Sequence, residues 1–192
     1  MLTNREIEEK LKSFKGLMLD ADGVWFDGYE TRLVAPDGQV AISKRRYFPD
    51  GQGLSFLRGM GILVVFATGE GHPLGSIVEK INDLPSAKSG LWAPVEYFTG
   101  ELKSGGKVAS LETWLQKHGL KWEDCVYIGD DRTDVEAMQL AGLKVCPHDA
   151  QRLILKIADI QLTKNGGAGA VREFAEMVLD ARGTDEVTLP TA

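Results

Sequence analysis

The 192-residue sequence has only two cysteines, no apolar run of membrane-spanning length and no surplus of positive charge. Cys125 and Cys146 each lie in an apolar run, so both are expected to be buried thiols in a reducing, cytoplasmic compartment. The net charge of −6 argues against general nucleic-acid binding, which requires a basic surface. Residues 1–14 mix charged and apolar side chains and lack the apolar core of a signal peptide.

The hydrophobic content of 43% is sufficient for one soluble domain, expected to extend over residues 1–192. Strands are expected at 17–19, 62–67, 125–128 and 143–146, and helices at 3–13, 73–82, 107–118, 135–141, 151–158 and 171–181. This alternation predicts an α/β fold, a three-layer αβα sandwich around a mainly parallel, Rossmann-like sheet. The polar tail at 182–192 is expected to be mobile.

The segment at about 25–48 has a different character and predicts a β-hairpin flap. Two β-prone stretches, 31–34 and 40–43, flank the turn sequence Pro36-Asp37-Gly38. An isolated hairpin is marginally stable in water, so the flap is expected to pack on something else, such as another subunit. The cationic residues 44–46 that follow are interpreted as a solvated strand end. Residues 48–53 predict a loop before a short helix at 54–58.

Polar side chains that can do chemistry follow several of the predicted strands. Asp20 and Asp22 come directly after the first strand, and side chains at i and i+2 of an extended chain point the same way. In open α/β sheets, chemistry lies beyond the carboxyl ends of the strands. The groups found there, or at a nearby helix start, are Asp20 and Asp22, Thr68, Lys107, and the trio Asp130, Asp131 and Asp134.

These are the kinds of group that phosphoryl transfer requires. One carboxylate can attack phosphorus and carry the phosphoryl group as an aspartyl phosphate. A second carboxylic acid can protonate the leaving oxygen and later activate water. Carboxylates from two strands suit Mg²⁺, which offsets the repulsion between an anionic nucleophile and a phosphate. A hydroxyl and a lysine can bind the remaining phosphoryl oxygens.

The order of these motifs resembles that of the haloacid dehalogenase-like phosphatases. The segments that carry this resemblance are 20–24, 67–69 and 129–134, together with Lys107. The segments 48–53, 127–131 and 166–173 resemble, within that superfamily, the 3-deoxy-manno-octulosonate 8-phosphate phosphatases. Near relatives of that subfamily are phosphatases for nine-carbon, sialic-type acids. The resemblance extends over residues 14–180 or so.

The resemblance implies a role for each motif residue. Asp20 would be the nucleophile and Asp22 the general acid/base, while Thr68 and Lys107 would hold the phosphoryl group. Lys103 is a rival to Lys107, which is preferred for its distance from the motif at 129–134. The implied cofactor is Mg²⁺. Its implied ligands are Asp20, the backbone carbonyl of Asp22, and Asp130, with Asp131 or Asp134 nearby.

The implied substrate is a phosphorylated 2-keto-3-deoxy sugar acid. Gly69, Glu70 and Arg172 are the further candidates for contacts with it. The octulosonate enzymes usually carry Arg where this chain has Glu70, as relatives that act on nine-carbon acids do. Residues 83–100 are also longer than the usual connection. A nine-carbon sialic-type acid 9-phosphate is therefore the alternative substrate.

The spacing of the motifs leaves no room for a cap domain, because a hairpin and one helix fill the interval between Asp22 and Thr68. Members of the resembled subfamily close such an open site by forming tetramers, so a homotetramer is expected, with no membrane or nucleic acid as partner. The alternative from another class is a receiver-type phospho-accepting domain. There the acidic pair and the phosphoacceptor lie on different strands, whereas Asp20 and Asp22 follow one strand.

Overall fold

The computed structural model describes residues 2–69, 71–100 and 106–190. Glu70 and Lys103 lie outside the described residues. The strands are β1 (Gly16–Leu19), β2 (Glu30–Val34), β3 (Val40–Lys44), β4 (Leu63–Ala67), β5 (Glu96–Phe98), β6 (Cys125–Ile128), β7 (Leu143–Cys146) and β8 (Ile160–Gln161). The helices are α1 (Asn4–Ser13), α2 (Phe48–Gly59), α3 (Leu74–Asn82), α4 (Pro85–Lys88), α5 (Gly106–His118), α6 (Val135–Leu140), α7 (Arg152–Leu155) and α8 (Ala170–Arg182).

Six strands form one parallel sheet in the order β5-β4-β1-β6-β7-β8, so β1 lies between β4 and β6. Alternate side chains of β1 enter different cores: Leu17 and Leu19 pack on one face, and Met18 on the other. The first core includes side chains of α1, α2, α3 and α8, and the second those of α5, α6 and α7. The expected three-layer αβα sandwich is confirmed, and no cap domain occurs among the described residues.

The hairpin is a separate two-stranded antiparallel sheet made of β2 and β3. All residues of β2 are exposed, as are all residues of β3 before Lys44. The hairpin predicted from the turn at 36–38 is therefore present, and most of its surface contacts nothing within the described chain.

Helix α2 corrects the expected loop at 48–53, because the helix already begins at Phe48. Pro49 is favourable in a first helical turn, where its missing N–H costs nothing. A Cβ on Gly53 would lie 2.9 Å from the Cα of Arg172, so this glycine lets α2 approach α8 closely. The side chain of Asp50 accepts hydrogen bonds from the N–H groups of Gly169 and Arg172 at the start of α8. Gly53, which is part of the apparent loop signal, serves helix packing instead.

The connection at 83–100 is packed against the body of the protein. The buried guanidinium of Arg58 donates to the carbonyl of Ala93 at 3.1 and 2.9 Å and lies over the ring of Trp92. Asn82 exchanges two hydrogen bonds with the backbone of Val95. These contacts hold the long connection beside β5.

Smaller differences concern two short elements and the chain end. Helix α7 ends at Leu155 rather than near residue 158, and the short helix α4 has no counterpart in the sequence expectation. Residues beyond α8 include a 3₁₀ turn at Glu186–Thr188, and Leu189 lies beside Gly59 of α2. Within the described ranges, every helix is too short or too polar to cross a membrane.

Candidate active site

Three neighbouring strands of the sheet end in polar groups at one edge. Asp20 follows the central strand β1, Thr68 follows β4, and Asp130 comes shortly after β6. Both Asp20 and Thr68 are buried, at 5% and 2% exposure. The backbone N–H of Ala21 donates to Oδ1 of Asp20 at 2.7 Å, which holds that carboxylate in place. The edge is therefore a fixed polar surface on an apolar core.

The amino group of Lys107, in the first turn of α5, bridges two carboxylates at this edge. Its Nζ atom lies 2.9 Å from Oδ2 of Asp20 and 2.7 Å from Oδ1 of Asp134. Burial alone would lower the pKa of Lys107, but the two carboxylates outweigh burial and raise it. Lys107 is therefore a permanent cation beside Asp20.

Asp134 is the anchor of the cluster and is fully buried. Besides the Lys107 ion pair, it accepts hydrogen bonds from the Tyr127 hydroxyl at 2.7 Å and from the N–H groups of Asp130 and Asp131. From the sequence, Asp134 is expected only as a possible support of a metal, and Tyr127 is not among the expected site residues. A tyrosine among the apolar residues of a core strand was the available signal, since a buried hydroxyl needs a polar partner.

Asp130 carries an unsatisfied buried oxygen. Its Oδ1 atom finds no hydrogen-bond partner in the described part of the chain. Burial, followed by repulsion from Asp134 and Asp20, raises the pKa of Asp130 to about 8. Burial and repulsion from Asp134 likewise raise the pKa of Asp20 to about 7, although Lys107 opposes this. Two such carboxylates fit a divalent cation, because a cation would supply the missing partner and the missing positive charge.

The geometry also shows which other carboxylates are near Asp20. Oxygen atoms of Asp20, Asp131 and Asp134 lie within 4.8 Å of one another. The oxygens of Asp134 are already engaged by four donors. One oxygen of Asp131 accepts from both the N–H and the hydroxyl of Thr133. Asp134 therefore has the least free capacity to bind a cation, whereas Oδ1 of Asp130 has no partner in the described part of the chain.

Glycines let the loop after β1 approach its supports. A Cβ on Gly23 would lie 2.1 Å from Oδ2 of Asp130, and Gly23 has a φ of +80°, which favours glycine. A Cβ on Gly166 would lie 1.8 Å from the carbonyl oxygen of Gly23. The N–H of Gly167 donates to the carbonyl of Val24 at 2.8 Å. The glycine-rich segment 166–169 therefore supports the turn that presents Asp20 and Asp22.

The interpretation of residues 44–46 as a solvated strand end is wrong for Lys44 and holds for Arg45, whose side chain is 82% exposed. Lys44 pairs with Asp22 at 2.7 Å, and its side chain is only 4% exposed. Arg45 pairs with Asp27 at 2.6 Å, and Arg46 lies over the ring of Trp25. The base of the hairpin folds back on the turn after β1, and this tertiary contact provides each cation with a partner.

Arg172 is held away from the carboxylate cluster. Its guanidinium group bonds to Gln52 and Glu176 at 2.6 Å each and to Glu186 at 3.3 Å, and it lies over the ring of Phe56. Within the described ranges, Arg172 makes no contact with the aspartates at the sheet edge. Gly69 follows Thr68 at that edge and is exposed.

These features together provide the groups that an aspartate-based phosphoryl-transfer site requires, at the carboxyl edge of a parallel sheet. Part of the chain is similar to the haloacid dehalogenase-like hydrolases. The family model described as haloacid dehalogenase-like hydrolase matches residues 102–174.

The named relatives with which this chain is compared are phosphatases of one kind. The chain is 29% identical, over 94% of its length and 91% of the relative's, to 3-deoxy-D-manno-octulosonate 8-phosphate phosphatase KdsC of Haemophilus influenzae. The crystal structure of the phosphatase of that name from Yersinia pestis superposes with a TM-score of 0.76 at 26% identity, covering 93% of this chain and 87% of that chain. The Moraxella catarrhalis phosphatase of that name, in complex with a magnesium ion, a phosphate ion and a KDO molecule, superposes at 0.73 with 28% identity, covering 94% of each chain.

Proposed function

We propose that this protein is a Mg²⁺-dependent phosphatase of 2-keto-3-deoxy sugar acid phosphates, with 3-deoxy-D-manno-octulosonate 8-phosphate as the leading substrate. The observation that carries the proposal is the buried bridge Asp20–Lys107–Asp134 next to the unsatisfied oxygen of Asp130. This arrangement combines a nucleophile, a cation and a free ligand oxygen at one sheet edge. The names of the relatives support the choice of substrate.

In this proposal, an oxygen of Asp20 attacks phosphorus, and the bond between phosphorus and the ester oxygen of the sugar acid breaks. Asp22 gives a proton to that leaving oxygen, then takes one from the water that attacks the aspartyl phosphate. Hydrolysis of the aspartyl phosphate by this water releases inorganic phosphate and restores the Asp20 carboxylate. Asp20 and Asp130 would hold Mg²⁺, which supplies charge compensation when bound.

Lys107 and Thr68 would bind the phosphoryl oxygens. When Asp20 is phosphorylated, its carboxylate loses its negative charge and the phosphoryl group brings a new one. The Lys107 ammonium group can then bind this phosphoryl group. The ion pair with Asp134 keeps Lys107 in place during this exchange. A preorganised cation of this kind stabilises the transition state without reorganising.

The hairpin is proposed as the subunit contact of a homotetramer. Its apolar side chains are largely exposed, with Leu33 at 61%, Val34 at 69% and Val40 at 56%. Exposed edge strands with apolar side chains mark interaction surfaces. A second chain covering this hairpin would also stand close to the site, because Lys44 at the hairpin base contacts Asp22. The two buried cysteines are free thiols, which supports the proposed cytoplasmic location.

The test is phosphate release with and without Mg²⁺ from three esters: the eight-carbon acid 8-phosphate, a nine-carbon sialic-type acid 9-phosphate, and p-nitrophenyl phosphate. We expect the highest kcat/KM with the eight-carbon acid and no turnover after chelation. A higher kcat/KM with the nine-carbon acid would replace the leading substrate by the alternative. Stable phosphorylation of Asp20 without turnover would instead favour the receiver-type reading.

A further inference from the structure

The inference concerns Lys44, the last residue of β3 in the hairpin. Its Nζ atom lies 2.8 Å from Oδ1 and 2.7 Å from Oδ2 of Asp22, so one ammonium group binds both carboxylate oxygens. The side chain of Lys44 is 4% exposed, whereas that of Asp22 is 35% exposed. The ammonium group also lies 5.9 Å from the centre of the Phe26 ring. A buried ammonium is costly unless it is paired, so this pairing is a built feature of the fold.

The hairpin base is tied to the turn after β1 at a second point. The backbone N–H of Asp27 donates to the carbonyl of Arg45 at 3.1 Å, and the Arg45 side chain donates back to the Asp27 carboxylate. Two adjacent hairpin residues therefore contact the turn at 22–27. The orientation of the hairpin base and the position of the Asp22 carboxylate are consequently linked.

We propose that Lys44 is a positioning residue for Asp22, the group assigned to proton transfer. The inference rests on the proposed function, because only there does Asp22 act on the leaving oxygen. An aspartate side chain can rotate about two torsions, and the contact with Lys44 selects one orientation. When Asp22 is protonated for transfer to the leaving oxygen, one of its oxygens carries the proton and the other can still accept from the Lys44 ammonium group. Proton transfer requires hydrogen-bond distance to the leaving oxygen, so misplacing the carboxylate slows this step.

The experiment compares a poor and a good leaving group. A sugar alkoxide needs protonation as it leaves, whereas p-nitrophenolate leaves with little help. We expect Lys44→Met to lower kcat on the sugar acid phosphate roughly tenfold more than on p-nitrophenyl phosphate. Lys44→Arg, which keeps the cation, should recover part of the loss. Arg32→Met removes a cation from the other hairpin strand that pairs with Glu30, and it should affect both substrates equally.

A second comparison uses the Asp22→Asn background. On p-nitrophenyl phosphate, where turnover without the proton donor stays measurable, adding Lys44→Met to Asp22→Asn should change kcat less than twofold, roughly. Circular dichroism and sedimentation of each variant establish that fold and assembly are intact. If Lys44→Met does not fold, Lys44→Gln and Lys44→Arg answer the same question, because only the arginine retains the charge.

Three results would overturn the inference while leaving the proposed function in place. The first is an equal loss on both substrates, and the second is an additive loss in the Asp22→Asn background. The third is a raised KM for the sugar acid phosphate at unchanged kcat, which would make Lys44 a substrate-binding group instead. Failure of the proposed function has a different signature, because the wild-type protein would then release no phosphate from any of the esters.

Discussion

The polar groups at the carboxyl edge of the large sheet bond to one another within the chain, whereas the β2–β3 hairpin leaves its apolar side chains exposed. At the edge, Asp20, Lys107 and Asp134 are buried and bond to one another within the chain. In the hairpin, both strands expose apolar side chains such as those of Leu33 and Val34. The polar groups of the edge are therefore built into the core, whereas the hairpin presents apolar side chains on the periphery.

The two regions meet at one ion pair, that of Asp22 with Lys44. Asp22 belongs to the loop after β1, and Lys44 ends the second hairpin strand. This pair connects a group placed by the sheet with a group placed by the hairpin. Changes on either side of the pair should therefore have separable effects, which the following experiments measure.

The largest loss of activity is expected for Asp20→Asn, which removes the proposed nucleophile at the carboxyl edge of the sheet. An amide cannot form the aspartyl phosphate, so phosphate release should fall about a thousandfold or more. Burial and repulsion raise the pKa of Asp20, so removing its charge should leave thermal stability unchanged or higher in the metal-free protein. Phosphate assays and thermal melts check both points. Near-wild-type turnover by a folded variant would remove Asp20 from the nucleophile role.

The second-largest effects are expected from removal of the metal and from Asp130→Asn. The buried, unpartnered oxygen of Asp130 is expected to bind Mg²⁺, so its replacement should weaken Mg²⁺ binding tenfold or more, roughly. Asp131→Asn is the matched control, because an Asp131 oxygen is already bonded to Thr133. Calorimetric titration of Mg²⁺ distinguishes them. Equal losses in both variants, or full activity after exhaustive chelation, would contradict the assignment.

Charged substitutions on the hairpin should disrupt the proposed subunit contact and leave the folded core of each chain intact. Val34→Asp combined with Val40→Asp should dissociate the proposed homotetramer, because two exposed apolar contacts become charged. Turnover of the sugar acid phosphate should fall severalfold, while the melting temperature changes little. Leu153→Asp on α7 is the control, since this side chain is also exposed and apolar, at 44%. Sedimentation showing an active wild-type monomer at assay concentration would refute the assembly.

The smallest effect is the pH dependence of stability in the metal-free protein. The folded-state pKa values of Asp20 and Asp130 are raised to about 7 and about 8, from an ordinary value of 3.8. Their contribution is favourable below pH 4 or so and is lost as pH rises through the raised values. Melting temperatures with a chelator should therefore fall between pH 5 and pH 8.5. Added Mg²⁺ should restore most of the loss at the higher pH, and a flat profile would contradict the raised pKa values.

The sequence by itself determined the sheet and the placement of its polar ends. The apolar runs at β1, β4, β6 and β7 are local signals of buried strands. Because parallel strands end at one edge, the position of Asp20 beside Thr68 followed from the chain order. The helix that begins near Lys107 was equally visible from its periodicity. These predictions rest on interactions between residues close in sequence.

Only the tertiary structure decided how the charges pair. Lys44 is 22 residues from Asp22, and Lys107 is 27 residues from Asp134, so no local pattern specifies either contact. Arg172 bonds to Gln52, 120 residues away, and to two glutamates, and its contact with the substrate stays a prediction. Each charged side chain has several possible partners of opposite sign. Packing selects among them, because burying an unpaired charge costs more than any local preference can offset.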